Sequence, residues 1–383
     1  MMEPAYPAAR IVAPKVEAHF VHHAEEAHRR GRTAVGAPPD ADTIEAIIDA
    51  AFWASLRREE SYIPKISLAF LPPAAAPHPL LFERPLPLLP SSLVKVAPAV
   101  ERPGIHLGVW RDGEGLSVWG TVRVIPSICL VVEVAAPGLL VVKHHRGGEE
   151  SGKFVNVAVL EGDQIKVVDE HASTLPDCPP LLTSLLGFDS PASWTSGIDS
   201  INVLVQLAVS MRAHARGGLL LVVPARDDGW QESIIRPIPY AVVPPFTELA
   251  QLDRDSTNAK HTRIWQDAVS RAVDAIAGLT AVDGATVLTN TYELLAFGAK
   301  IARRKGAPQV EQVTVTEPVE GNVAVIVHPT ALGGTRHLSA AQFVHDQRQA
   351  VALVASQDGR FTVFAWSPCG GTVHAHRVET LLL

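Results

Sequence analysis

Residues 217–224, GGLLLVVP, are the stretch that predicts the fold of the second half of the chain. A continuous apolar run of this length predicts a strand that is buried on both faces. The residues before it have the period of a helix, with one apolar stripe formed by Ile198, Ile201, Val205, Ala208 and Met211. A helix that leads into a buried strand is typical of α/β domains.

The alternation of helix and strand continues to the end of the chain. A Pro-rich insertion runs to about residue 262, and a helix around Trp265 and Ile276 follows it. Strands are predicted at 285–289, 313–318, 322–329, 350–356 and 361–366, and a helix is predicted at 339–346. This order predicts an α/β fold with a mixed central β-sheet flanked by helices.

The first half predicts a helical region followed by a small antiparallel β region. Asp42 and Thr43 provide a helix N-cap, and apolar residues then recur at three- and four-residue spacing. Ten prolines in residues 64–103 predict an extended linker, because proline interrupts both helices and central strands. Residues 105–170 predict short antiparallel strands, with a hairpin turn at 161–163. We therefore expect two domains, at 1–190 and 191–383.

The composition excludes several classes of protein. The net charge of −7 disfavours a protein that coats polymeric nucleic acid, since that function needs a basic surface. Hydrophobic residues make up 47% and charged residues 19%, so the chain can bury large cores. Three cysteines without CxxC spacing (Cys129, Cys178, Cys369) fit a reducing cytoplasm. No apolar run is long enough for a membrane span, and the N-terminus lacks the apolar core of a signal peptide, so we expect a cytoplasmic protein.

Asp283-Gly284-Ala285 is the first of two short candidate sites. It follows a predicted helix and opens a predicted strand. A carboxylate beside glycine can reach a metal or a ribose hydroxyl, because the missing side chain lets a ligand approach the backbone. Asp-Gly is also a common turn dipeptide, so the alternative interpretation is a plain turn.

The second candidate site is GGTRH, residues 333–337, immediately before a predicted helix. Glycines before a helix expose backbone N–H groups, and the helix dipole favours an anion there. The Thr335 hydroxyl adds a donor, and Arg336 can hold phosphate through two hydrogen bonds. His337 can serve as a metal ligand or a proton carrier. The alternative interpretation is an ordinary loop-to-helix junction.

The order and spacing of these motifs resemble the diadenylate cyclase domain family. That family carries a Gly-Ala-Leu strand, a DGA motif, a GTRHR motif followed by two alanines, and a strand that ends in Ser-Glu-Glu. The counterparts here are Gly217-Gly218-Leu219, Asp283-Gly284-Ala285, Gly334-Thr335-Arg336-His337 with Ala340-Ala341, and Ser356-Gln357-Asp358-Gly359. The resemblance covers about residues 195–368. It is greatest to the divergent branch called DACNV, which is regarded as a probable nucleotide-sensor domain with a long N-terminal extension.

The resemblance implies a reaction between two protomers. In the cyclases two protomers meet face to face, each holding one ATP, and each 3′-hydroxyl attacks the α-phosphate of the other ATP. Mg²⁺ or Mn²⁺ offsets the developing charge, and pyrophosphate leaves. By this resemblance the chain would form a homo-oligomer, Asp283 would position the 3′-hydroxyl or the metal, and His337 would lie near the metal. If the chain is active, these two residues are its catalytic residues.

The resemblance also implies which residues bind a nucleotide, either ATP or a cyclic dinucleotide. The backbone after the aspartate would lie near the nucleotide, and the second motif would hold phosphates. The implied nucleotide-binding residues are Gly284, Ala285, Gly334, Thr335, Arg336 and Ser356.

Two departures from the family pattern change what we expect of the chain. The second arginine of the family motif is Leu338 here, and one acidic residue after Ser356 is Gln357. Losing a charged transition-state contact lowers the rate of a reaction by about 100- to 1,000-fold but leaves ligand binding possible. We therefore expect a nucleotide-binding sensor. The alternative is an active diadenylate cyclase that makes cyclic di-AMP and two pyrophosphates from two ATP, and a third hypothesis is a structural interaction module.

Three further groups of residues are open to more than one interpretation. His19 and His23 share a helix face and could bind zinc, but the spacing fixes no third ligand, so a solvated polar helix is expected. Residues 143–146, KHHR, predict a solvated hairpin tip. Trp110 and Trp119 predict a small apolar core rather than a ligand-stacking face.

Overall fold

The computed structural model describes residues 5–29, 38–58, 62–113, 115–146, 153–169, 203–254 and 263–383. The chain divides into two compact units, residues 1–168 with Leu383, and residues 169–382. The predicted domain boundary at 190/191, Cys178 and the helical positions Ile198 and Ile201 lie outside the described residues.

In the first unit, the residues that the structure describes form three helices and an eight-stranded sheet. The helices are α1 (Pro7–Arg29), α2 (Ala41–Ser55) and α3 (Pro90–Val96). The strands are β1 (Ser67–Phe70), β2 (Leu80–Pro87), β3 (His106–Asp112), β4 (Gly115–Val122), β5 (Leu130–Ala136), β6 (Leu139–Arg146), β7 (Lys153–Glu161) and β8 (Gln164–Val167). Their order across the sheet is β2-β4-β3-β1-β5-β6-β7-β8. The β1–β3 pair is parallel and the others are antiparallel, so the sheet is larger than the small antiparallel region expected, and it is mixed.

The linker predicted for residues 64–103 is wrong, because this segment folds into the sheet. It supplies the interior strand β1, which contains no proline, and the edge strand β2, which contains Pro85 and Pro87. Pro73 and Pro90 each stand at the start of a helical turn, where the missing N–H has no partner to lose. These four prolines therefore lie where a folded domain tolerates proline, at the starts of helical turns and on an edge strand.

Helix α2 begins earlier than predicted. Its N-cap is Asp40, whose carboxylate accepts a hydrogen bond from the Thr43 N–H at 2.9 Å. Asp42 and Thr43 lie inside the first turn, so their assignment as the N-cap was wrong. An acceptor three residues before an N–H is the spacing that N-capping requires.

Two regions expected to be solvated are buried. The face of α1 that carries Phe20 and His23 is covered, with Phe20 fully buried. Residues Lys143, His144 and His145 lie in β6 and are also buried, so the predicted hairpin tip was wrong. Of these three residues, His144 contacts α1, through His19. Lys143 is paired with Glu133 of β5, and His145 lies 3.1 Å from the carbonyl of Pro126.

Two apolar clusters fill the first unit. One joins the buried faces of α1, α2 and α3 to the sheet. The other contains Trp119, with Trp110 partly buried against it, as the sequence predicted. The Trp119 indole N–H donates to the carbonyl of Leu71 at 2.9 Å, which satisfies the polar atom of the ring.

The described residues of the second unit form four helices and a nine-stranded sheet. The helices are α4 (Val203–Ala213), α5 (Glu248–Arg254), α6 (Arg263–Leu279) and α7 (Thr335–Asp346). The strands are β9 (Gly218–Val223), β10 (Tyr240–Phe246), β11 (Ala285–Thr289), β12 (Leu294–Ala299), β13 (Val313–Thr316), β14 (Val325–Val327), β15 (Val351–Ala355), β16 (Phe361–Ser367) and β17 (Thr372–Arg377). Short 3-10 turns occur at Gly229–Ser233, Pro329–Ala331 and Glu379–Leu381.

This second sheet is mixed and is covered by helices on both faces. Its order is β10-β12-β11-β9-β15-β16-β17-β13-β14, and the pairs β9–β11 and β13–β17 are parallel. Residues of β9 alternate between two cores. Leu220 packs with α4 and α6, and Leu221 packs with α7. The predicted strand at 217–224 is therefore confirmed as buried on both faces.

Strands β10, β12 and β17 were not predicted, and α7 begins four residues before the predicted helix. None of the described helices combines the length and the apolar character that crossing a membrane requires.

Candidate functional site

The two sequence motifs meet at one end of the second sheet. Strands β9 and β11 are adjacent and parallel, so Gly217 and Asp283-Gly284 both stand just before the amino ends of these strands. Strand β15 is antiparallel to β9 and pairs Ala355 with Gly218, which brings Ser356 to the same end. We call this end the motif edge and define it by Gly217, Asp283, Gly284, Arg336 and Ser356.

Arg336, in the first turn of α7, lies against the backbone before β9. Its guanidinium nitrogen is 2.7 Å from where a Cβ at Gly217 would stand, so a larger residue there would displace the arginine. Gly217 also has φ +71°, a conformation that other residues rarely adopt. The pKa of Asp283 is lowered mainly by the hydrogen bond and charge of Lys300, and that of His214 mainly by burial; the charge of Arg336 lowers both further. The two motifs, about fifty residues apart in sequence, therefore interact electrostatically.

Asp283 is an exposed carboxylate held by a lysine. Its side chain is 89% exposed and forms an ion pair with the Lys300 ammonium, which follows β12. The Lys300 ammonium also donates a hydrogen bond to the Asp283 carboxylate. This hydrogen bond and the positive charge of Lys300 lower the pKa of the Asp283 carboxyl. The group is thus an anion at neutral pH, and a ligand can reach it from solvent.

Gly284 is pressed against the neighbouring strand. It has φ +114°, and a Cβ there would lie 2.5 Å from the carbonyl carbon of Gly298 in β12. Gly298 in turn lies beneath the ring of Tyr240, which is half exposed and stacks on Phe297 with ring centroids 4.7 Å apart. The glycine pair lets two strands and an aromatic ring come close to Asp283.

His337 is buried rather than open to solvent. It is 3% exposed, its ring lies against Gly333, and it makes an edge contact with Phe364. Burial is the main cause that lowers the pKa of His337, and the nearby arginines, among them Arg336, lower it further against the opposing effect of Asp358. A buried neutral imidazole can position neighbouring groups more readily than it can carry protons to solvent.

The other residues of the second motif are distributed around the start of α7. Gly334 is the N-cap, and no side chain caps the helix N–H groups there. Thr335 is exposed. Leu338, where the cyclases have their second arginine, packs against the apolar core beneath α7. The lost arginine is therefore replaced by a core contact.

The turn after β15, residues 356–360, contacts the backbone of Arg216 beside the motif edge. The N–H of Ser356 donates to the carbonyl of Arg360 at 2.9 Å, and Gln357 donates through its amide to the carbonyl of Arg216 at 3.4 Å. Asp358 pairs with Arg360 at 3.4 Å. The Gln357 position thus ties the turn to the residue before Gly217 instead of adding a carboxylate.

The balance of charge at the motif edge is positive, although the whole chain is acidic. The carboxylates at or next to these strand ends are Asp283, Asp358, Glu317 and Glu379. The basic side chains that stand at or next to the same strand ends are Arg216, Lys300, Arg336, Arg360 and Arg377. A local basic surface of this kind favours an anionic ligand.

A divalent metal implied by the resemblance would have few protein ligands here. In the part of the chain that the structure describes, the one cluster of three or more possible metal ligands belongs to the first unit and includes neither Asp283 nor His337. Mg²⁺ is usually bound through one or two carboxylates plus substrate phosphates, and it prefers oxygen to imidazole. The residues present fit a metal held by Asp283 together with ligand phosphates, and they do not favour His337 as a ligand.

A cavity of about 400 Å³ lies at the other end of β9, next to Pro224. Its lining includes Asp346, whose buried carboxylate accepts hydrogen bonds from the N–H of Arg304 at 2.8 Å and from the Gln342 amide at 2.9 Å. No residue of the motif edge lines this cavity. The polar groups there hold a surface loop in place.

Sequence reasoning missed three contributors to the motif edge. Gly298 lies in β12 and Lys300 follows this strand directly, and β12 is not predicted from the sequence. His214 follows α4 and lies 3.2 Å from the Thr280 hydroxyl, between α6 and β11. The run LLAFGAK at 294–300 is the sequence pattern that could have predicted β12 and Lys300. It is an apolar stretch that ends in a basic residue, and it follows the strand that begins at DGA.

Replacing Lys300 by Met should raise the pKa of Asp283 toward the ordinary value of an aspartate. The shift should be incomplete, because Arg336 continues to lower this pKa. Carbon-detected NMR titration of the side-chain carboxyl measures the change, and Lys305→Met, an exposed lysine in the following loop, is the control. An unchanged pKa in Lys300→Met would contradict the ion pair.

Comparison with known proteins gives a family match in the first unit. Residues 33–123 match the sequence model of the family described as "probable sensor domain DACNV". The match covers a quarter of the chain and lies before the motifs at 283–285 and 334–337, so it supports a probable sensor and does not reach the motif edge. A search of curated proteins found no match.

Two solved structures have a weak likeness to the chain. One is a hypothetical membrane spanning protein from Bacillus cereus, with 15% identity, a TM-score of 0.28, and coverage of 51% of this chain and 68% of the other. The other is a double-cysteine mutant of DacA from Staphylococcus aureus, with 13% identity, a TM-score of 0.24, and coverage of 45% of this chain and 83% of the other. Such low TM-scores define no common fold.

Proposed function

We propose that the second unit binds a nucleotide or a cyclic dinucleotide at the motif edge, and that the protein is a sensor of this ligand. The observation that carries the proposal is the convergence of Asp283 and Arg336. These residues belong to separate motifs, and the fold places both at the amino ends of β9 and β11, where their charges interact.

The phosphate groups would bind at the start of α7. The first N–H groups of this helix have no side-chain cap, and the helix dipole favours an anion at its N-terminus. Arg336 adds a guanidinium that can pair with two phosphate oxygens. The exposed hydroxyl of Thr335 is a further donor at the same position.

The sugar and the base would lie toward β10 and β12. The exposed carboxylate of Asp283 is an acceptor for a ribose hydroxyl. The half-exposed ring of Tyr240, stacked on Phe297, offers an aromatic face near the Asp283 backbone. Stacking of a base on such a ring contributes about 1–3 kcal/mol to binding.

The same residues favour binding over catalysis. Leu338 is packed into the core, so the second phosphate-neutralising charge of the cyclases has no counterpart at this position. Lys300 neutralises Asp283, which weakens this carboxylate as a metal ligand. If Mg²⁺ or Mn²⁺ binds, we propose that Asp283 and the ligand phosphates hold it. The family match at residues 33–123 supports a sensor role for the chain as a whole.

Calorimetry with ATP, cyclic di-AMP and related nucleotides tests the proposal. We expect a saturable heat of binding for at least one of them, and none for adenosine, which lacks phosphate. A parallel incubation with ATP and Mn²⁺, followed by chromatography and mass analysis, should leave ATP unchanged. Absence of binding by every nucleotide would refute the proposal. Formation of cyclic di-AMP that disappears in Asp283→Ala would instead establish the active cyclase.

A further inference from the structure

Three imidazoles of the first unit meet where helix α1 packs against strand β6. His19 and His23 are one helical turn apart, and His144 comes from the buried strand β6. Each of the three offers a ring nitrogen that lies within 4.8 Å of those of the other two. His19 Nε2 is 2.7 Å from His144 Nδ1, and the ring centroids of His23 lie 4.3 Å from His19 and 5.0 Å from His144.

The cluster lies in a largely buried environment. His23 and His144 are buried, and His19 is half-buried. Burial, with the positive charges of the neighbouring histidines, lowers the pKa of His19 to about 3. The fully buried ring of Phe20 stands next to the cluster, 6.2 Å from the ring of His144. Metal ions bind imidazole through the lone pair of a ring nitrogen, and each of these rings has a nitrogen that faces the cluster.

We propose that His19, His23 and His144 form a binding site for a divalent transition metal, with zinc as the best-suited ion. Two histidines at i and i+4 on a helix with a third from another element give three nitrogen ligands on one side of the ion. Zinc–nitrogen bonds of about 2.0–2.1 Å in a tetrahedron set the ligand nitrogens about 3.3 Å apart. His19 Nε2 and His144 Nδ1 are 2.7 Å apart, and no pair of the three ligand atoms is more than 4.8 Å apart, so side-chain rotations can bring the three nitrogens into place.

A carboxylate next to the cluster completes the chemistry. Glu26 Oε2 lies 3.9 Å from His23 Nδ1, one turn further along α1. From there it can take the fourth coordination position or orient the His23 ring through its second nitrogen, as outer-shell carboxylates do in zinc sites. Its negative charge also offsets part of the charge of a divalent ion. Carboxylate and imidazole together favour zinc over calcium or magnesium.

This site is independent of the nucleotide proposal. It lies in the first unit, and none of its ligands belongs to the motif edge. A metal there would join α1 to β6, so its binding free energy would stabilise the packing of the helix on the sheet. None of the three ligands lies in residues 33–123, the stretch that matches the sensor family, so the site adds a feature outside that match.

Zinc and cobalt binding by the full-length protein tests the proposal. After treatment with a chelator and its removal, titration with Co²⁺ should give the intense visible absorption of a tetrahedral site at one ion per chain. Zn²⁺ should displace the cobalt and raise the thermal midpoint of unfolding. His144→Gln and His19→Gln should each weaken zinc binding by at least about 100-fold, more than the 10- to 100-fold that the loss of an outer-shell partner costs.

His22→Gln is the matched control, because His22 is exposed on the same helix, next to the cluster. Its zinc affinity should equal that of the unsubstituted chain. Far-UV circular dichroism of each metal-free variant checks that it folds. His23→Cys adds a readout that a merely structural role would not give, since a thiolate ligand produces a sulfur-to-cobalt charge-transfer band in the near ultraviolet. The proposal is overturned if the unsubstituted chain binds no stoichiometric cobalt, if His22→Gln loses affinity as His144→Gln does, or if His23→Cys folds, binds cobalt and gives no such band.

Discussion

Arg336→Ala is expected to weaken nucleotide binding by about 10- to 100-fold. The guanidinium stands both at the start of α7 and against the backbone before β9. A hydrogen bond to a charged group contributes about 1.5–3 kcal/mol, which corresponds to this loss of affinity. Calorimetry with the nucleotide that binds the unsubstituted chain measures the effect. The loss should shrink at high ionic strength, since part of the interaction is screened.

Two variants separate the role of Arg336 from a general effect of charge. Arg226→Ala removes the same charge from an exposed position at the other end of β9, and its affinity should be unchanged. Arg336→Lys keeps the charge but loses the paired hydrogen bonds, so its affinity should lie between those of the other two proteins. Equal binding by Arg336→Ala and the unsubstituted chain would remove Arg336 from the site.

Gly284→Ala is expected to destabilise the second unit by about 2–6 kcal/mol. A non-glycine residue in a sparsely populated backbone conformation costs about 1–3 kcal/mol, and overpacking adds about the same amount. Both apply at Gly284, which has φ +114° and would place a Cβ 2.5 Å from the Gly298 carbonyl carbon. The contact is backbone against backbone, so no side-chain rotation relieves it. Chemical denaturation followed by circular dichroism measures the loss as a lower midpoint.

Gly278→Ala is the matched control for this prediction. Gly278 lies in α6, six residues before Gly284, and a Cβ there would meet nothing within 4 Å. This substitution should stabilise the helix by about 0.5–1 kcal/mol, because alanine restricts the unfolded chain more than glycine does. If both variants have the same stability, the backbone contact between β11 and β12 is not tight.

The strands that a sequence can predict are those whose pattern is set by burial on both faces. The run LLLVV of β9 and the run ATVLT of β11 have no other plausible conformation at that length, and both strands are present. Strand β12 was missed because Gly298 interrupts its apolar run. The glycine is there for the close approach of Gly284, a requirement that only the three-dimensional pairing of β11 with β12 creates.

Only those residues of the candidate site that have a local sequence pattern could be predicted. Asp283 and Arg336 could be selected from local chemistry, since a carboxylate beside glycine and an arginine at a helix start are recognisable patterns. Lys300 could not, because a lysine at a strand end has no local signature and acquires its role only through the register of two strands. His144 was placed at a solvated turn for the same reason. Its burial depends on a helix that precedes it by more than a hundred residues.

Proline on the outer strands has a consequence for how copies of this protein can associate. Strand β2 contains Pro85 and Pro87, and strand β10 contains Pro244 and Pro245, and each of these strands is the outermost of its sheet on one side. A proline offers no N–H to an incoming strand, so neither border can template the addition of a foreign strand along its full length. Both sheets are thereby protected from edge-to-edge aggregation on these sides. Any pairing of two copies there would have to use side-chain surfaces rather than a continuous intermolecular sheet.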